Sequence, residues 1–250
     1  MKIQLKIIFL LLFLISLGFK AQEISGRITY NVSLNLTIEQ VTERYKGVNR
    51  KVPQSSKDRI NSSRDILAFL EFDKQHSIQS LEDELKNDGY RGKNMTQKGA
   101  GNNKLYYTEN AFVQKTSIVE CKILEECVLI EQPKAEWKIF QETKIIGSYL
   151  CYRAEYQNPI YKYKKPIAWF APKIPASYGP KIFTGLPGLI LELEDNTVTY
   201  TAIKIELNPQ EKISIEKPEG KALTQEKYEA LLKKTFPAFY KKIEDYKTSN

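Results

Sequence analysis

The chain has 250 residues, of which 42% are hydrophobic, 27% charged and 11% aromatic. These values allow a buried core and exclude wholesale disorder, a collagen-like repeat and a protein with several membrane spans. A single histidine, His76, and three cysteines exclude most metal sites built from those residue types, and we expect neither a metal nor a cofactor.

Residues 1–21 have the pattern of a secretory signal peptide. Lys2 and Lys6 precede the apolar run 7–17, which is shorter than the about 20 residues that a spanning helix needs. Cleavage after Gly18 and cleavage after Ala21 both remain open. We therefore expect an exported protein, in the periplasm, at the outer membrane or outside the cell, whose mature chain has no transmembrane span.

Export also changes the charge balance. Removal of residues 1–21 takes away three lysines and leaves 35 basic and 30 acidic residues, a net charge of +5. That excess is small, and nucleic-acid binding requires clustered basic groups in a compartment that contains nucleic acid. We therefore expect no nucleic-acid partner.

The first half of the mature chain combines strands with polar connections. Alternating apolar and polar residues predict a strand over 28–36, and the run 66–72 predicts a second strand. The polar stretch 37–63 is interpreted as a long connection, and 89–103, rich in Gly and Asn, as a loop. The intervening residues 75–88 fit either a short helix or an edge strand.

The second half is dominated by predicted strands, whose short separations favour antiparallel pairing. They cover 104–108, 112–124, 127–131, 137–144, 148–156, 189–194 and 197–207, with a further edge at 213–215. A helix is predicted over 224–246, capped by Thr224 and kinked or divided at Pro237. Its apolar face predicts packing over the sheet, and a membrane-surface or partner-binding helix is the alternative.

Together these elements predict the fold class. We expect 22–250 to form a single mainly β domain, in which an antiparallel sheet is curled as an open barrel or sandwich and the C-terminal helix packs on it. Cys121 and Cys127 flank a predicted turn, so an oxidising compartment permits a disulfide between them. Cys151 lies among apolar residues and is predicted to be a buried free thiol.

Residues 156–191 differ from the rest of the chain, because they contain five lysines, six prolines and seven aromatic residues but no acidic residue. One interpretation is a structural clasp that closes one end of the sheet. The other is a binding surface, since aromatic rings with lysines between them suit sugars, anionic lipid heads or acidic peptides. The candidate binding residues are Tyr161, Tyr163, Lys164, Lys165, Trp169, Lys173 and Lys181.

Three motifs in this segment occur in a fixed order. They are Trp169 to Pro175 (WFAPKIP), Tyr178-Gly179-Pro180-Lys181, and the hexapeptide Gly185-Leu186-Pro187-Gly188-Leu189-Ile190. Pro187 and Gly188 suit the two central positions of a type II turn, where proline fixes φ and glycine supplies a positive φ.

In these motifs the chain resembles the GLPGLI family of exported Bacteroidetes proteins. The resemblance spans nearly the whole mature chain and is specific from about 137 to 195, although Lys173 stands where members often have an acidic residue. It implies a compartment and a fold. It implies no catalytic residues, because the family has no established activity.

The sequence gives little support to catalysis. It contains no nucleophile elbow, zinc-protease motif, phosphate loop or dinucleotide fingerprint. We therefore expect a non-catalytic envelope module that binds a hydrophobic or anionic ligand, such as a lipid or glycan, or an envelope protein. The alternatives are a hydrolase that uses an unrecognised carboxylate site, for which Glu192, Glu194 and Asp195 are the candidates, and a structural part of an envelope complex.

Overall fold

The structure is a computed structural model. It describes residues 24–46, 51–83, 94–102, 104–109, 115–124, 126–159 and 165–241, except for the side chain of Arg44. The predicted signal peptide, the end of the predicted C-terminal helix beyond 241, and the candidate residues Tyr161, Tyr163 and Lys164 lie outside the described residues.

A single twelve-stranded sheet organises the described part of the chain. The strands are β1 (Gly26–Leu34), β2 (Ile66–Phe72), β3 (His76–Leu81), β4 (Leu105–Glu109), β5 (Lys115–Glu120), β6 (Val128–Glu131), β7 (Trp137–Ile146), β8 (Tyr149–Tyr156), β9 (Ile167–Ala171), β10 (Leu189–Glu194), β11 (Val198–Leu207) and β12 (Lys221–Thr224). Their order is β12-β6-β5-β4-β3-β2-β1-β11-β10-β9-β8-β7.

Ten of these neighbouring pairs are antiparallel, and β12 with β6 is parallel. The prediction of a mainly β, mainly antiparallel fold is therefore confirmed. The sheet is open, with β7 at one edge and β12 at the other, and it does not close into a barrel.

Alternation along the strands gives the sheet two unlike faces. On β1, Ile28, Tyr30 and Val32 are buried, whereas the intervening residues are half-buried. We call the side that carries these three residues the core face and the other side the outer face. The period of two places every second side chain on one face, so the pattern that predicted β1 also predicts which face is covered.

Four helices lie wholly within the described residues: α1 (Ile38–Lys46), α2 (Gln54–Asn61), α3 (Met95–Gly99) and α4 (Gln225–Thr235). The first three correct the interpretation of 37–63 and 89–103 as connections without helices. The hydroxyl of Thr224 caps α4 by accepting from the N–H of Lys227 at 3.3 Å. Pro237 divides the helix as predicted, since α4 ends at Thr235 and a new helical stretch covers 237–241.

Three strand predictions also need correction. β3 lies inside the sheet between β2 and β4, so 75–88 provides neither a helix nor an edge strand among its described residues. β9 and β12 were not predicted. Residues 213–215 are not a strand, and Ile215 instead packs on Tyr107, Val119 and Leu129 on the outer face.

Candidate functional site

The segment that the sequence singled out crosses the core face. We call residues 172–188, which connect β9 to β10, the arch. Ile174, Tyr178, Phe183 and Leu186 of the arch are buried in the same core as β1 and β2. The indole N–H of Trp137 donates to the carbonyl of Thr184 at 2.8 Å, which attaches the arch to β7. The arch is therefore an ordered, buried cover of the sheet, as the clasp interpretation predicts.

The hexapeptide turn differs from the predicted type II turn. Gly188 has φ +159° rather than the value near +80° that a type II turn requires. Its N–H donates to the carbonyl of Leu186 at 2.8 Å, which forms a three-residue turn around Pro187. The N–H of Leu189 then donates to the carbonyl of Ile174 at 3.0 Å, so this backbone group fastens the arch instead of closing a β-turn.

Close backbone approach explains both glycines that matter most in the arch. A Cβ atom on Gly188 would collide with the carbonyl oxygen of Ala171, and one on Gly179 would lie 2.6 Å from the carbonyl oxygen of Phe183 and 2.5 Å from Cδ1 of Ile190. Neither approach is compatible with a real side chain. The two glycines allow the arch to lie directly on β9 and β10.

Lys181 points into the protein rather than to solvent. Its Nζ atom donates to Oδ2 of Asp195 at 2.5 Å and to the carbonyl of Gly99 at 3.2 Å. Its backbone N–H donates to Oε1 of Gln79 on β3, and its φ is +58°. A lysine held by this set of contacts fixes the arch to the sheet and is not free to bind a ligand.

The other described candidates from this segment do not join Lys181. Lys165 is exposed and donates to Oε1 of Gln157 at 2.9 Å, and Lys173 is exposed on the arch. Trp169 lies opposite Glu192 and Arg153 on the outer face. Trp169 and Lys181 are thus on opposite faces of the sheet, so the described candidates do not form one common site.

Trp169 belongs instead to a row of charged and aromatic side chains on the outer face of β7 to β10. The ammonium of Lys144 lies 4.4 Å from the centre of the Trp169 ring and 2.5 Å from Oε1 of Glu192. Beside it, the guanidinium of Arg153 lies 4.7 Å from the centre of the Phe140 ring. Arg153 also pairs with Oε1 of Glu155 at 2.6 Å. Sequence reasoning missed Lys144 and Arg153 because their partners come from neighbouring strands.

The three candidate carboxylates of the hydrolase alternative are divided between the faces. Glu192 and Glu194 lie opposite Thr201 and Thr199 on the outer face, and Glu192 pairs with Lys144. Asp195 is buried on the core side with Lys181. This arrangement does not bring the three carboxylates together. Within the described residues, no group of three or more His, Cys, Asp or Glu side chains is placed to hold a metal ion.

An exposed apolar surface lies where the core face continues beyond the arch. Ile139 and Ile145 on β7 are 50% and 65% exposed, and Leu150 on β8 is 39% exposed. Ile139 lies opposite Ala154 and Ile145 opposite Leu150, which puts all three on the core face. We call these three residues the apolar margin. Of the eight large apolar side chains that are exposed in the described residues, three therefore lie on one face along the same edge of the sheet.

The cysteines occupy two different environments. Cys121 and Cys127 are joined by a disulfide that closes the β5–β6 connection, with their Cα atoms 4.0 Å apart. Cys151 is a buried free thiol on β8, as predicted. Burial raises the pKa of the Cys151 thiol to about 11, so this thiol stays protonated at neutral pH and is a poor nucleophile.

Comparison with known proteins gives a short sequence match and a match of fold. The model of a family described as a protein of unknown function (Porph_ging), which is associated with Bacteroidetes, matches residues 157–192. That range contains β9, the arch and the hexapeptide. No curated protein matches the sequence.

Two solved structures of PNGF-II, in the C2 and P21 space groups, have a similar fold. The TM-score is 0.50 for each, with sequence identities of 15% and 13%. The similarity covers 84% and 82% of this chain and 32% of the PNGF-II chain in both cases, so this chain spans about a third of the length of PNGF-II. At this identity the likeness concerns the fold alone. In the described residues, no helix is both long and apolar enough to cross a membrane.

Proposed function

We propose that this protein is an exported, non-catalytic module of the bacterial cell envelope that holds a protein partner on its apolar margin. The observation that carries the proposal is the exposure of Ile139, Ile145 and Leu150 beside the free edge strand β7. Scattered exposed apolar residues are ordinary, but several on one face of one sheet edge are the pattern that marks an interaction surface. The signal-like residues 1–21 and the Bacteroidetes-associated family match support the compartment and the GLPGLI assignment.

The residues between the members of the apolar margin favour a protein over a lipid as the occupant. On the core face, Thr143 and Tyr152 lie between Ile139 and the pair Ile145 and Leu150, and neither carries a charge. The centre of a protein interface is depleted of charged residues and enriched in aromatic ones. An anionic lipid surface or an acidic ligand would instead require basic residues there.

The edge of β7 favours docking through side chains rather than a continuous added strand. Ile139 lies opposite Ala154 and Thr143 opposite Tyr152, so two extra residues of β7 bulge from the ladder between them. A bulge interrupts the row of outward backbone groups with which another strand could pair. The partner is therefore expected to cover the side chains of the apolar margin.

Affinity capture from the envelope of the native host tests this proposal. The wild-type chain is expected to retain a partner in a fixed ratio, and the Ile139→Lys/Ile145→Lys variant to lose it by about tenfold or more, as for central interface residues. Ile203→Lys on β11 is the matched control, because Ile203 is 59% exposed but lies away from the apolar margin. Equal retention by the margin variant and the control would overturn the proposal.

A further inference from the structure

The end of the described chain forms a second exposed surface, distinct from the apolar margin. The apolar face of α4 is already used, because Tyr228 packs with Val128, Ile130 and Leu223 of the sheet. The two phenylalanines on either side of the break at Pro237 are not covered. Phe236 is 40% exposed and Phe239 is 62% exposed.

The residues around these two phenylalanines are basic. Residues 230–241 contain Lys233, Lys234 and Lys241 but no acidic residue, and all three lysines are exposed. Lysines in the last turn of a helix complement the helix dipole, which would explain Lys233 and Lys234 in a purely structural role. That role does not explain why Phe236 and Phe239 are left in water.

We infer that these five residues, which we call the C-terminal patch, dock the protein on an anionic phospholipid surface. Aromatic rings partition to the level of the lipid head groups, and nearby lysines are attracted by the negative surface potential of anionic lipids. Its lysines distinguish the C-terminal patch from the apolar margin, where the intervening Thr143 and Tyr152 carry no charge. The inference does not depend on the partner proposed for the apolar margin.

Vesicle co-sedimentation tests the inference with full chains produced in the native host. The wild-type chain is expected to sediment with vesicles of phosphatidylglycerol and phosphatidylcholine more than with phosphatidylcholine alone. Lys233→Gln/Lys234→Gln is expected to lower the partition coefficient about 30-fold, since each lysine near an anionic surface contributes about fivefold. Phe236→Ser/Phe239→Ser is also expected to lower the partition coefficient. This loss should persist at high salt, because salt screens the charge interactions and not the apolar contribution.

The matched control is Lys51→Gln/Lys212→Gln, which removes the same charge from two exposed lysines elsewhere. The inference stands if both variants of the C-terminal patch lose binding while the control retains it. Absence of binding to the anionic vesicles, an equal loss in the control, or full binding by either patch variant overturns it. Circular dichroism of each variant checks that the fold is retained.

Discussion

The ammonium of Lys181 and the carboxylate of Asp195 form an ion pair of 2.5 Å between the arch and the end of β10, and both side chains are largely buried. A lysine from the most basic segment of the chain is therefore used in the interior. The contact fixes the arch over the core face and leaves the apolar margin as the exposed part of that face. The proposed binding surface and the part covered by the arch are thus separate areas of one face of the sheet.

Loss of one member of this pair is expected to destabilise the protein strongly. Lys181→Met leaves Asp195 buried without its cation and should lower the free energy of unfolding by about 3–5 kcal/mol. The double variant Lys181→Met/Asp195→Asn should recover part of that loss, because it removes the uncompensated charge. Urea denaturation measures both. Lys204→Met, at an exposed pair with Glu206, is the control and should cost less than about 1 kcal/mol.

Gly188→Ala is expected to destabilise the arch by about 1–3 kcal/mol, because the new Cβ would collide with the carbonyl of Ala171. Gly147→Ala is the control, because it measures the cost of the backbone conformation at a glycine where a Cβ atom meets no such collision. Gly147 also has a positive φ, +59°, but nothing lies within 4 Å of the position that a Cβ atom would take there. Thermal denaturation of the two variants should rank Gly188→Ala as the more destabilised. The reverse order would contradict the close approach.

The disulfide between Cys121 and Cys127 closes a short loop, for which loop entropy gives a stabilisation of about 2 kcal/mol. Cys121→Ser/Cys127→Ser should therefore lower the free energy of unfolding by about that amount. Alkylation of the denatured, unreduced protein followed by mass spectrometry should modify one cysteine, Cys151. Modification of three would show that the disulfide does not form in the host.

The stability of the protein is expected to fall as pH rises above about 9. The pKa of Cys151 is raised by burial from 9.0 to about 11, so between these values the unfolded thiol has lost its proton while the folded thiol keeps it. The unfolded state is then favoured by deprotonation, and the contribution of Cys151 to stability should decrease by about 1 kcal/mol between pH 8.5 and pH 10. Cys151→Ala should reduce this decrease in urea titrations, and an unchanged pH dependence would exclude the thiol as its cause.

The sequence predicted regular elements well where an apolar run had clear polar boundaries. The bounds of β2 were predicted as observed, because six of the seven residues in 66–72 are apolar and charged residues flank them. The helix α1 was missed although its signal was present. Thr37 and Gln40 form a reciprocal capping box, with the N–H of Gln40 donating to Oγ1 of Thr37 at 3.2 Å and the N–H of Thr37 donating to Oε1 of Gln40 at 3.0 Å.

The site was harder to predict because its contacts join residues that are distant in sequence. β9 was missed since its five residues lie between Pro166 and Pro172, and the density of prolines indicated irregular structure. Lys181 was interpreted as a surface residue, because no local pattern places Asp195 and Gln79 around it. The apolar margin could not be predicted from the sequence, because it depends on the strand order. That order makes β7 an edge strand and leaves it beyond the part of the core face that the arch covers.

The apolar margin is the surface on which we propose that a protein partner lies. Photo-cross-linking in intact cells tests it most directly, with a photoreactive amino acid placed in turn at Ile139, Ile145 and Leu150, and at Ile203 as the control. We expect one shared cross-linked protein from the three margin positions and none from Ile203. Cross-links of equal yield from Ile203, or none from the margin positions, would contradict the claim.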